Sequence, residues 1–149
     1  MNPQSTPLFV EEIQNALAEA GLSDAQFVST SPQTVEFGDT AAVFRVGPLL
    51  LRFTTERGQA FIDLASLAEP TVFHQFDDVD VALGWRSTDE VLAKREPEPI
   101  HAVLRRVSTN LSALCDAVSG DQERLMRARV QKAARERGQA FTARLRGQP

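Results

Sequence analysis

Read for the spacing of its apolar positions, the chain changes period more than once. Phe9, Ile13, Ala16, Leu17 and Ala20 recur at intervals of three and four, which gathers them on one side of a helix. Thr6 can cap that helix, Pro7 suits its first position because no N–H is needed there, and Gly21 ends it. From Gln26 to Ser66 the period falls to two. "QFVST" and "TVEF" are short, whereas "TAAVFRV", "LLLRFTT" and "AFIDLAS" predict strands separated by Gly47-Pro48 and by Glu56-Arg57-Gly58-Gln59. Separations this short leave no room for parallel crossovers, so the strands form an antiparallel meander. In its central strand Leu49, Leu51 and Phe53 face one side, under helices, while Leu50, Arg52 and Thr54 face the other, partly wet side.

After Ser66 no further strand is predicted. Asp77 and Asp80 have the spacing of a capping box and open a helix through Val79 and Leu83 that closes at Gly84; a strand with Val79, Val81 and Leu83 on one face is the competing reading. Ser87 caps "TDEVLAKR", "EPEP" interrupts, and "IHAVLRRVSTNLSALCDAV" predicts one long helix. Its stripe is Ile100, Val103, Leu104, Val107, Leu111, Leu114, Cys115 and Val118. Ser119-Gly120-Asp121 then leads into a last helix reaching Leu145, with Val130, Ala134, Arg137, Phe141 and Leu145 in line. The expected fold class is α+β: an N-terminal helix, an antiparallel meander of three to five strands, then three to four C-terminal helices, with residues 1–149 as one domain and 121–149 as its basic C-terminal helix.

The string ERGQAF occurs at residues 56–61 and again at 136–141. The flanking periods assign the first copy to a hairpin, where Gly58 supplies a left-handed conformation, and the second to a helix interior, where Gly138 costs roughly 1 kcal/mol relative to alanine. The flanks therefore argue for coincidence rather than duplication.

Composition narrows the functional classes. With 42% apolar and 24% charged residues the chain is ordinary for a folded soluble protein, and neither a signal peptide nor an 18-residue apolar run is visible, so a cytoplasmic, unanchored protein is expected. The single cysteine, Cys115, excludes an internal disulfide or a cysteine-built zinc site and reads as a structural thiol. The net charge of −4 conceals a split: residues 1–120 carry −9 and residues 121–149 carry +5. No phosphate-binding loop, dinucleotide fingerprint, metalloprotease helix or nucleophile elbow is present, and His74 and His101 have no sequence link to each other. No cofactor, metal or enzymatic role is expected. Asp77, Asp78 and Asp80 lack the further oxygen ligands and bend glycine of a calcium loop. They read instead as helix-capping acids, or as an acidic docking surface with Trp85 as its anchor. Glu56, Arg57 and Gln59 stand at the hairpin tip as a solvated turn or a recognition tip. The C-terminal basic residues lack interleaved aromatics, and the arginines at 124, 127, 135 and 146 do not share one face, so nucleic-acid binding is not favoured.

The string "LLLRFTTERGQAFIDLAS", through Arg52, Glu56, Arg57, Gly58, Gln59 and Phe61, followed by "FDDVDVALGW", resembles a hairpin of small bacterial cytosolic proteins of the toxin-immunity type. The resemblance covers about a third of the chain and carries over no functional residue. It implies a non-enzymatic protein that binds another protein with a basic surface, as an immunity protein neutralising a toxin by occlusion. The alternatives are a secretion chaperone or adaptor, and nucleic-acid binding through the last helix. Oligomeric state is not legible.

Overall fold

The computed structural model describes residues 8–31, 40–56, 59–94 and 98–147. Helix α1 (Leu8–Glu19) buries Val10, Ile13, Ala16 and Leu17, one turn-spaced row, and the chain leaves it through Gly21 at φ 83°. Thr6 and Pro7, expected to start this helix, lie outside the described residues, as does the "TVEF" segment.

Five strands follow in chain order across one antiparallel sheet: β1 (Gln26–Ser31), β2 (Thr40–Val46), β3 (Leu49–Glu56), β4 (Gln59–Ser66) and β5 (Glu69–Gln75). Val46 faces Leu49 across a two-residue turn made possible by Gly47 at φ 58°. The expected alternation holds on the core face, where Leu49, Leu51 and Phe53 are at most 1% exposed, with Phe44 edge-on to Phe53 at 5.7 Å; on the opposite face Arg52 and Thr54 stay half-buried, but Leu50, expected there on the partly wet side, is buried. On that second face Arg52 binds Asp63 at 2.8 Å and lies 4.3 Å from the centroid of the Phe73 ring.

Strand β5 corrects the expectation that strands end at Ser66. It is an edge strand with three exposed residues after Glu69, and Pro70 within it, so it lacks the buried alternation that reveals an inner strand. Its pairing with β4 is Asp63 to Gln75, Leu64 to His74 and Ser66 to Glu69, with an irregularity between the last two.

The helices cover the core face. The helical reading holds for residues 77–82, within α2 (Phe76–Ala82), and the turn that follows passes through Gly84 at φ 76°, but Gln75 precedes the helix and no side chain caps it. The supposed capping box is therefore wrong, because both acids are engaged with other elements. At α3 (Thr88–Ala93) the box is real: the Ser87 hydroxyl accepts from the Glu90 N–H at 3.1 Å, and Glu90 accepts from the Ser87 N–H at 3.2 Å. The expected long helix is two, α4 (Ile100–Thr109) and α5 (Leu111–Ala117), broken at Asn110. There the Asn110 side-chain amide and the Thr109 hydroxyl donate to carbonyls one turn back, which turns the chain while Val103, Leu104, Val107 and Leu114 remain buried.

Helix α6 (Gln122–Leu145) buries Met126, Val130 and Ala133 in the core shared with α1 and the sheet, so the basic segment is part of the folded body. Its predicted stripe is only partly right. Val130 is buried, but Phe141 and Leu145 are 54% and 72% exposed, because the body ends before the helix does. Among the described residues no helix is long and apolar enough to cross a membrane.

Candidate functional site

A seven-residue helix advances about 100° per residue, so Asp77, Asp78 and Asp80 point in three directions around α2, and each meets a different element. Asp80 is 0% exposed. Arg106 of α4 donates to it from Nε at 3.1 Å and Nη2 at 2.8 Å, and the same guanidinium reaches both oxygens of Glu98 at 2.8 and 3.0 Å. The Asp80 carbonyl accepts from the N–H groups of Trp85 and Arg86, which turns Arg86 back so that it binds Glu98 at 2.9 Å and approaches Asp80 at 3.8 Å. Burial pushes the pKa of Asp80 up, and Arg106 and Arg86 oppose that without reversing it. Burial raises Glu98 too, but the hydrogen bonds and charges of Arg106 and Arg86 outweigh it, and Glu98 titrates below its ordinary range. Two acids and two arginines thus tie α2, its exit turn and α4 together.

Asp78, 4% exposed, receives Arg137 of α6 at 2.8 and 3.1 Å, and Asp77 pairs with Lys94 beyond α3. The expected acidic docking surface is corrected accordingly: two of its three carboxylates are buried and all three are ion-paired within the protein. Trp85 is half-buried against the core rather than standing free beside them. At the hairpin tip Gln59 is exposed and pairs with Glu56 across the strands; Arg57, Gly58 and the Glu56 side chain lie outside the described residues.

What the structure adds is a groove of about 450 Å³ beside β4. Ala60, Phe61, Ile62 and Asp63 all line it, although consecutive strand residues point to opposite faces of a sheet. A cavity touching all four must lie in the plane of the sheet, along the edge of the strand. Strand lengths explain it. β4 begins at Gln59, but its pairing with β5 starts only at Asp63, because the chain turns at Gln75 into α2. Among the described residues nothing pairs with 59–62 on that side. The rest of its lining includes the apolar Phe76, Val91, Ile100 and Val103 and the polar Gln75, Asp77, Lys94 and Glu98. Of the residues singled out in the sequence, Asp77 borders this groove and Gln59 adjoins it; Asp78, Asp80 and Trp85 do not line it. Neither Lys94 nor Glu98 was distinguishable in the sequence, since both follow from where α3 and α4 come to rest.

The two histidines occupy separate settings. His101 is exposed, 3.7 Å from Glu19. His74 is half-buried under α6 near Glu123 and Arg127; burial lowers its pKa, with Arg127 adding to the shift and Asp78, Glu123 and Asp63 opposing it. Arg127 reaches Glu69 at 3.1 Å, and its Nε lies 2.6 Å from Glu123, a close charge contact in which the N–H is not directed at the oxygen. Burial raises the pKa of the half-buried Cys115 thiol, as in a structural cysteine. Among the described residues no cluster of three or more histidine, cysteine or acidic side chains could hold a metal ion. No protein-family model, no curated protein and no solved structure matches the chain.

Proposed function

We propose that this is a non-enzymatic protein-binding protein that takes an extended segment of its partner by strand addition along the edge of β4 that no described residue pairs with. The observation that carries the reading is the position of the groove in the sheet plane, where β5 would continue if it did not turn into α2. Unpaired strand backbone offers N–H and C=O groups that an incoming strand satisfies, while pockets beside the edge select alternate side chains. Here one incoming side chain would meet Phe76, Val91, Ile100 and Val103, and the next would lie on the side of Phe61 and Thr54. A volume of about 450 Å³ falls within the roughly 300–1,000 Å³ of ordinary ligand pockets. The partner is thus recognised by an extended apolar segment rather than by a basic patch, since the acids proposed for that role are held internally. Neutralisation of a toxin is the specific form that the hairpin resemblance suggests.

The test is selection of linear peptides from a displayed random library, followed by amide chemical-shift and hydrogen-exchange measurements on the complex. Strand addition predicts that the selected peptides are extended and protect amides of residues 59–62. Peptides that bind while leaving those amides unchanged, or a library that enriches nothing, would remove the reading. For the toxin form, the adjacent reading frame should encode a secreted protein whose C-terminal domain is inactivated by this chain in a growth assay.

A further inference from the structure

Two surfaces of the molecule are complementary but cannot meet within one copy. The first is the N-terminal edge. Residues 8–31 carry Glu11, Glu12, Glu19 and Asp24 and no basic residue, and the adjoining edge strand β1 leaves Phe27 and Val28 47% and 52% exposed at its bulge. The second is the distal end of α6. Phe141 and Leu145 continue the inward face of the helix past the point where the body stops; Arg144 lies one turn from Phe141, Arg135 and Arg146 lie about 100–120° round the helix from them, and Glu136 is the one acid in residues 134–147. Of these arginines only Arg144 has a protein ion-pair partner among the described residues, the exposed Asp89 at 3.6 Å.

The sheet order keeps the surfaces apart. β1 and β5 are its opposite edges, four strand spacings or about 19 Å from each other, and α6 is fastened on the β5 side through Glu69 and Asp78. We infer that the distal end of α6 docks on the α1–β1 edge of a second copy of this chain, burying Phe141 and Leu145 against Phe27 and Val28 within a ring of opposite charges. Such a contact joins two different surfaces, so it is satisfied either reciprocally in a two-fold pair, with each α6 end on the other copy's edge, or head to tail in a larger ring or a chain. The interface is small and strongly charged, which makes it weak and sensitive to salt. It leaves the β4 groove open, so it stands or falls separately from the strand-addition reading.

Sedimentation velocity of the full chain over a range of concentrations, at low and high salt, tests it. Dimers or larger species should grow with concentration at low salt and dissolve at high salt. F141S/L145S and E11K/E12K should each weaken association about tenfold or more, with circular dichroism confirming the fold. Mixed together, these two variants should recover a one-to-one complex and nothing larger, because each supplies the half that the other lacks. A monomer at every concentration in low salt, variants that associate like the parent chain, or a mixture of the two variants that forms no complex would each overturn the inference.

Discussion

Asp80 is a charge kept where water does not reach, and its neighbours decide whether that is tolerable. Arg106 supplies two hydrogen bonds to it and two to Glu98. Replacing Arg106 with methionine keeps the apolar stem but leaves the Asp80 carboxylate without its main partner, and breaking a buried pair in this way costs roughly 3–5 kcal/mol. Urea unfolding at neutral pH should show that loss, and D80N/R106M together should lose less than R106M alone. His74 makes a prediction of opposite chemistry. Its folded pKa lies below the ordinary 6.5, so below that value the unfolded chain binds a proton more readily than the folded one. Stability contributed by neutral His74 is present above about pH 6.5 and is lost as pH falls from there through the lower folded value. Melting temperatures of the parent chain and H74Q, compared across that window, should converge toward acid. A constant difference would mean that His74 does not titrate in this way. Neither effect was legible in the sequence. Asp80 and Arg106 lie 26 positions apart, and the Asp77–Asp80 spacing that suggested a helix cap is equally the spacing of two residues turned toward different neighbours.

At the scale of elements, the inner strands were readable because burial on one face imposes period two, and β2, β3 and β4 occupy the stretches their patterns mark. β5 was not, since its exposed residues Pro70, Thr71 and Val72 run consecutively and its half-buried Phe73 and His74 are neighbours, so no period of two shows. The two copies of ERGQAF show how context selects structure. The second copy lies inside α6, where the backbone at Gly138 is not left-handed and nothing lies within 4 Å of an added Cβ. G138A should therefore stabilise the protein by about 0.5–1 kcal/mol, read as a higher midpoint in urea. Gly84 has equal room for a Cβ but sits at φ 76°, so G84A should destabilise it. The two substitutions separate conformational propensity from packing, because neither adds a clash. The groove belongs to the same scale: it exists because β4 outruns its pairing with β5 by four residues, Gln59–Ile62, a mismatch visible only once the register is known.

For the whole molecule the division of charge is an assembly rule. The segment with +5 is held to the body with −9 through Arg137 to Asp78 and Arg127 to Glu69, so part of the basic helix satisfies the acidic body. Arg124, Arg135 and Arg146 are left on the outside, eleven residues apart, which returns each to within about 20° of the last around the helix. With Arg127 turned inward, these three do share a face, a regularity hidden in the sequence by the arginines facing the body. The hold on α6 is uneven. Met126, Val130 and Ala133 anchor its first half in the core, whereas beyond Arg137, among the described residues, half-buried alanines and the Arg144–Asp89 contact remain. R137Q should therefore release the distal half selectively. Asp78 would lose both guanidinium hydrogen bonds at a cost of roughly 1.5–3 kcal/mol per charged bond at most, and amide exchange should accelerate over residues 138–145 while residues 126–133 keep their protection. If protection instead falls along the whole helix, α6 unfolds as one unit, and Arg137 governs the attachment of the entire basic segment rather than of its free end.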